Sequence, residues 1–151
     1  DDKLGDKSSY ISSHKKFSEA FLKDAKSILK EDGSFINKDK ISKIVDTHIF
    51  KGDVIKDGKI RKRWTGKHEQ SDHIIDILDA ATGGRVQRDI HFLAGHGYEY
   101  YDGRLGHRAK TETFANMFSI WSDNKRWSEV VEIMPNTAKE FENIMKGLLD
   151  D

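Results

Sequence analysis

The spacing of apolar residues is the feature that most constrains the fold of this chain. In the segment before residue 122 these residues recur at i, i+3, i+4 and i+7, as Phe114, Met117, Phe118 and Trp121. This spacing places four side chains on one face of an α-helix, and we expect that face to be buried. The same period recurs in the segments 17–29, 41–45, 74–81, 127–134 and 141–148. The sequence therefore predicts a mainly α-helical chain.

One segment departs from the helical period. Residues 48–64 contain Asp57-Gly58 between two runs of mixed β-branched and basic residues, which favours a β-hairpin. The predicted fold is therefore mainly α within the α+β class, a helical domain with a small β-hairpin. Gly83 and Gly84 predict the end of one helix, and residues 85–94 are predicted to form a short strand or an irregular connection.

Charge and composition exclude several classes of site and partner. The 26 Lys and Arg residues balance the 26 Asp and Glu residues, so net charge gives no reason to expect nucleic acid or an anionic membrane as partner. The chain has no cysteine, which excludes disulfides and thiolate metal sites and leaves His, Asp, Glu and backbone oxygens as ligands. No segment approaches transmembrane length, so no membrane partner is expected.

The length favours one domain. A chain of 151 residues is predicted to form a single domain over residues 1–151. Because it starts at Asp1 without a methionine, an N-terminally trimmed fragment of a larger catalytic domain is the alternative expectation.

The stretch 95–121 concentrates the residue types that metal sites and enzymes use. Glu112 and His107 are candidate metal ligands, His96 is a candidate site residue, and Tyr100 and Tyr101 could stabilise an oxyanion. Each also has a structural interpretation. A glutamate in a first helical turn usually faces water, a histidine beside glycines is usually a turn residue, and the tyrosines could fill the edge of the core.

A pair of carboxylates precedes this stretch. Asp76 and Asp79 lie one helical turn apart, at i and i+3. Such a pair can bind a cation, hold a neighbouring loop or face solvent, and we favour the last two interpretations.

Several strings occur in a recognisable order. DILDAATGG spans 76–84, GHG spans 95–97 and is followed by the tyrosines of 100–101, ETFANMFS spans 112–119, and a single proline at 135 precedes the last helical segment. Together they resemble the C-terminal half of zinc-metallopeptidase-like domains found at the ends of bacterial toxins and phage-head-associated proteins. More distantly, they are similar to the end of the catalytic domain of anthrax lethal factor.

This resemblance covers residues 75–149 and implies a zincin-like C-terminal subdomain. It implies a hydrolase of the toxin type, a zinc metalloendopeptidase that cuts a protein or peptide substrate. Glu112 would be the third zinc ligand, Tyr100 or Tyr101 would point toward the oxyanion, and His96 would orient its loop or touch the site. A secreted bacterial or phage-associated protein is implied, delivered into a target cell and met there by an immunity protein.

The chain departs from that family because it has no HExxH motif, which supplies two histidine ligands and the general base. Zinc binding is therefore expected only in a longer form of the protein, or the ancestral site is lost and the domain binds rather than cuts. His48 and His68 flank the predicted hairpin, and with Lys110 they loosely resemble the histidine pair and lysine of EndoU-type endoribonucleases. That alternative alone implies nucleic acid as a partner, and a non-catalytic interaction domain is the third interpretation.

Overall fold

The computed structural model describes residues 2–49, 55–56, 59–60, 73–91 and 94–150. Its helices are α1 (Asp2–Ile28), α2 (Lys38–Ile49), α3 (His73–Ala81), α4 (Arg85–Asp89), α5 (Tyr98–Tyr101), α6 (His107–Ile120), α7 (Asn124–Ile133) and α8 (Pro135–Leu149). The prediction of a mainly α-helical fold is confirmed. In the part of the chain that the structure describes, no helix combines the length and apolar character needed to cross a bilayer.

Two short strands lie between α2 and α3. They are β1 (Ile55–Lys56) and β2 (Lys59–Ile60), which pair antiparallel with Ile55 opposite Ile60. The predicted turn at 57–58 lies outside the described residues, so the hairpin stays a prediction, as does the zincin-like subdomain.

The core is built around α3, which packs mainly against α6, while α1 packs mainly against α8. Ile74, Ile77 and Leu78 of α3 are each at most 2% exposed. Phe141 of α8 joins the two helix pairs, because its ring centroid lies 5.0 Å from that of Phe114 on α6. Burial of such side chains contributes about 1.5 to 3 kcal/mol each before the entropy cost of folding is subtracted.

A buried carboxylate on α1 caps the last helix. Asp24 is 1% exposed, and its Oδ2 accepts hydrogen bonds from the backbone N–H of Thr137 at 2.7 Å and from the Thr137 hydroxyl at 2.6 Å. The side-chain amide of Asn136 donates to the other oxygen at 2.8 Å. These contacts satisfy donors in the first turn of α8, which would otherwise lack partners, and they fix α8 against α1.

The orientation of α6 differs from the prediction. Its buried residues are Ala109, Thr113, Asn116, Met117 and Ile120. At about 100° per residue, this arc is centred about 100° away from the predicted apolar stripe.

As a result, the prediction that Phe118 is buried was wrong, since Phe118 is 60% exposed. The buried arc faces α3 and includes polar residues, so apolar spacing alone misplaced it. Glu112 lies about 80° from the centre of this arc. Its side chain is therefore at the edge of the α3–α6 interface and is 26% exposed.

Candidate functional site

Glu112 on α6 is held by two side chains that come from the segment leading into α5 and from α5 itself. The Tyr100 hydroxyl donates to Glu112 Oε1 at 3.0 Å, and His96 Nε2 lies 3.3 Å from Glu112 Oε2. The side chain of His96 is 47% exposed. Each carboxylate oxygen of Glu112 therefore has an aromatic partner, while the group stays accessible from solvent.

The aromatic rings around Glu112 pack on one another. His96 stacks on Tyr100 with ring centroids 4.4 Å apart and an interplanar angle of 26°. Tyr101 meets Tyr100 edge to face at 4.8 Å. Arg108 Nη1 donates to the Tyr100 carbonyl at 2.9 Å, and its guanidinium lies 4.7 Å from the Tyr100 ring centroid. These contacts restrict the orientation of Tyr100 and, through it, of the imidazole.

Both tyrosines are kept as neutral phenols. Desolvation raises the pKa of Tyr100, and its hydrogen bond to Glu112 and the charge of Glu112 raise that pKa further. Tyr101 is 4% exposed, and burial followed by the charges of Glu112 and Asp79 raises its pKa well above the usual value. The Tyr101 hydroxyl has no hydrogen-bond partner within the described residues. A neutral phenol without a partner remains able to donate a hydrogen bond.

A buried carboxylate holds the loop that carries His96. Asp79 on α3 is fully buried, and its Oδ2 accepts the backbone N–H of Gly97 at 2.8 Å. Its Oδ1 accepts the backbone N–H of Gln87 on α4 at 3.0 Å. Burial raises the pKa of Asp79 to about 6, while these two hydrogen bonds oppose the rise. Asp79 of the Asp76 and Asp79 pair therefore holds a neighbouring loop, which is one of the roles predicted for the pair.

Glycines make this close approach feasible. Gly95 has φ +57°, and a Cβ there would lie 2.5 Å from Asp79 Oδ2. Gly84 has φ +89°, and a Cβ there would overlap the backbone of Gly97 and Tyr98. Only a residue without Cβ fits at both positions, which explains the TGG and GHG strings in physical terms.

The same turn corrects one expectation about residues 85–94. Gly84 is the N-cap of α4, which spans Arg85–Asp89. The segment was predicted to be a short strand or an irregular connection, and its first five residues are instead helical. The positive φ angles of Gly83 and Gly84 reverse the chain directly into a helical turn. The backbone N–H of Gln87 can therefore reach Asp79.

His107 is not directed toward the other candidates. It lies five residues before Glu112 on α6, which places the two side chains about 140° apart around the helix. Its Nε2 lies 3.4 Å from the Thr111 hydroxyl, and its ring centroid is 6.5 Å from that of His14. The structure thus brings His96 and Tyr100 to Glu112 and packs Tyr101 against Tyr100, whereas His107 faces elsewhere.

Sequence reasoning missed a second imidazole beside α6. His73 Nδ1 lies 2.7 Å from Asn116 Oδ1, and the Asn116 amide donates to the backbone carbonyl of Glu112 at 2.8 Å. Asn116 follows Glu112 by four residues, so its place on the same face was readable from helical spacing. No sequence signal pointed to His73, whose contact with Asn116 depends on how α3 and α6 pack.

The residues of the nuclease interpretation are only partly described. His48 is 7% exposed, and its Nε2 lies 2.6 Å from Glu129 Oε2 on α7. Lys110 is on α6, and His68 lies outside the described residues. This contact joins α2 to α7 and so gives His48 a structural role.

Among the residues that the structure describes, no group of three or more His, Asp and Glu residues has an arrangement that could hold a metal ion. Glu112 supplies one carboxylate that accepts a hydrogen bond from Tyr100, and ligating carboxylates in metal sites commonly have such a neighbour.

No known protein family, curated protein or solved structure matches this chain. The family suggested by the ordered strings therefore stays a prediction.

Proposed function

We propose that this chain carries the Glu112 part of a toxin-type zinc metalloendopeptidase site. The observation that supports the proposal is that Tyr100 and His96 each contact one oxygen of a carboxylate that stays 26% exposed. A glutamate with only a helix-surface role needs neither contact. An oriented, accessible carboxylate with a hydrogen-bonded neighbour suits a metal ligand.

The ligand set would be completed from outside this chain. Catalytic zinc takes three protein ligands and keeps a fourth position open. Glu112 would supply one ligand, and a helix bearing HExxH, as in the domains that the chain resembles, would supply two histidines and the general base. Zinc binding is therefore proposed for a longer form of the protein.

The roles of the other residues follow from their contacts. A bound zinc ion would polarise a peptide carbonyl and lower the pKa of a water molecule. Tyr100 and His96 would keep the Glu112 oxygens oriented. The resemblance gives Tyr100 or Tyr101 the role of donating to negative charge that develops on the carbonyl oxygen; the Tyr101 hydroxyl is buried, so it would fill this role only once the site opens.

Substrate and setting follow the same resemblance and are part of the proposal. The substrate would be a protein or peptide, the enzyme would be secreted or delivered into a target cell, and an immunity protein would block it.

Zinc titration tests this function. Isothermal titration calorimetry would compare this chain with a form extended upstream through the next hundred or so residues. We expect micromolar or tighter zinc binding in the extended form, weakened at least about tenfold by Glu112→Gln. Glu99→Gln is the matched control, because it removes an equal charge from an exposed position nearby.

Hydrolysis of quenched fluorescent peptides should require the extended form and Glu112. Zinc affinity unchanged by Glu112→Gln, or an extended form that binds no zinc, would overturn the proposal. RNA cleavage by this chain that is lost in His48→Ala would favour the endoribonuclease instead.

A further inference from the structure

We propose that Asp79 is a positioning residue of this site, whose carboxylate fixes the loop 95–97 and thereby holds His96 against Glu112. The contacts of Asp79 are enough to support its role in holding the loop. The effect of that role on catalysis rests on the proposed function.

Asp79 connects three separate elements at one buried point. It lies on α3, accepts the backbone N–H of Gln87 on α4, and accepts the backbone N–H of Gly97 in the loop before α5. Its complete burial removes competing water, so the two hydrogen bonds to its oxygens are not exchanged with solvent.

The loop is held on both sides of His96. Gly97 is the residue directly after His96, and its N–H is bonded to Asp79 at 2.8 Å. Gly95 is the residue directly before His96, and its carbonyl accepts the Gln87 side-chain amide at 3.2 Å. With both flanking residues held, the imidazole is directed to the Tyr100 ring and to Glu112.

The position requires a carboxylate rather than any polar side chain. Two backbone N–H donors converge on two oxygens, and an ionised carboxylate can accept from both. An asparagine has nearly the same shape but only one acceptor oxygen, so one N–H would face an amide donor. Asp79→Asn therefore removes one specific hydrogen bond with little change in volume.

The first experiment uses NMR on this chain without zinc. In the wild type we expect an NOE between the ring protons of His96 and Tyr100. In Asp79→Asn that NOE should be lost, and the Gly97 amide should exchange with solvent at least about tenfold faster. Asp76→Asn is the matched control, since it removes a carboxylate one turn away and leaves both hydrogen bonds of Asp79 in place.

The second experiment uses the extended form with zinc. Asp79→Asn should lower kcat/KM for peptide hydrolysis by about 10- to 100-fold, with most of the loss in kcat. Asp76→Asn should give a smaller loss. If Asp79→Asn fails to fold by circular dichroism, Gln87→Ala releases only the Gly95 side of the loop and should weaken the same NOE.

The outcomes separate this inference from the proposed function. Loss of the NOE in Asp79→Asn together with no zinc binding in any form would support positioning and overturn the peptidase. Zinc binding that depends on Glu112, with an unchanged NOE and unchanged exchange in Asp79→Asn, would overturn positioning alone. An equal effect of Asp76→Asn would also overturn it, because nearby charge and not the hydrogen bonds would then be responsible.

Discussion

The buried carboxylate of Asp79 makes a specific prediction about stability and pH. Its pKa is raised from 3.8 to about 6, chiefly because it is buried. At a pH between these two pKa values, Asp79 is therefore protonated in the folded state and ionised in the unfolded state. This group favours folding fully below the unfolded pKa, and its contribution is lost as pH rises through about 6.

The magnitude follows from the size of the shift. Each pKa unit corresponds to about 1.36 kcal/mol, so a rise of about two units amounts to about 3 kcal/mol over the full range. Between about pH 4.5 and pH 7.5 the change in folding free energy from Asp79 is about 2 kcal/mol. The charge of Asp76 adds to the rise and that of His96 opposes it, and both are present in wild type and variant.

The assay is urea unfolding of wild type and Asp79→Asn across this pH range. The variant cannot titrate at this position, so the difference in unfolding free energy between the two proteins isolates the contribution of Asp79. The variant should gain about 2 kcal/mol relative to wild type from about pH 4.5 to pH 7.5. Parallel profiles would refute the argument from burial. A change of opposite sign would mean that the hydrogen bonds to Gly97 and Gln87 outweigh desolvation.

Two further predictions concern the core. Asp24→Ala removes the cap of α8 and leaves the buried Thr137 donors without partners, so it should cost about 2 kcal/mol or more, or roughly 4 °C or more in Tm, in thermal unfolding. A change below about 0.5 kcal/mol would contradict the capping role. On α6, chemical unfolding should show a loss of about 2 to 5 kcal/mol for Met117→Ala and less than about 0.5 kcal/mol for Phe118→Ala. A loss for Phe118→Ala as large as that for Met117→Ala would restore the orientation that apolar spacing alone predicts.

Most of the longer helices were readable from the sequence because their determinants are local. Phe17, Phe21 and Ala25 recur at helical spacing and are all buried on α1. Asn37, before a helical pattern, caps α2 by accepting the backbone N–H of Lys40 at 3.1 Å. Periodicity and capping act within a few residues, so no knowledge of the partner helices was needed.

The candidate site was readable only in part. Helical spacing placed Glu112 on one side of a helix, and the strings pointed to His96 and Tyr100. Helical spacing could not show that Glu112 lies at the edge of the α3–α6 interface, because the buried face of a helix depends on the neighbour that packs against it.

The sequence by itself determined the helical class and the helical character of the segments that supply most of the core. Tertiary structure alone decided that Asp79 reaches Gly97, 18 residues away, and that His96 meets Glu112. Such contacts depend on how α3, α4 and α6 pack in space, and residues that are distant in the chain carry no local signal of their pairing.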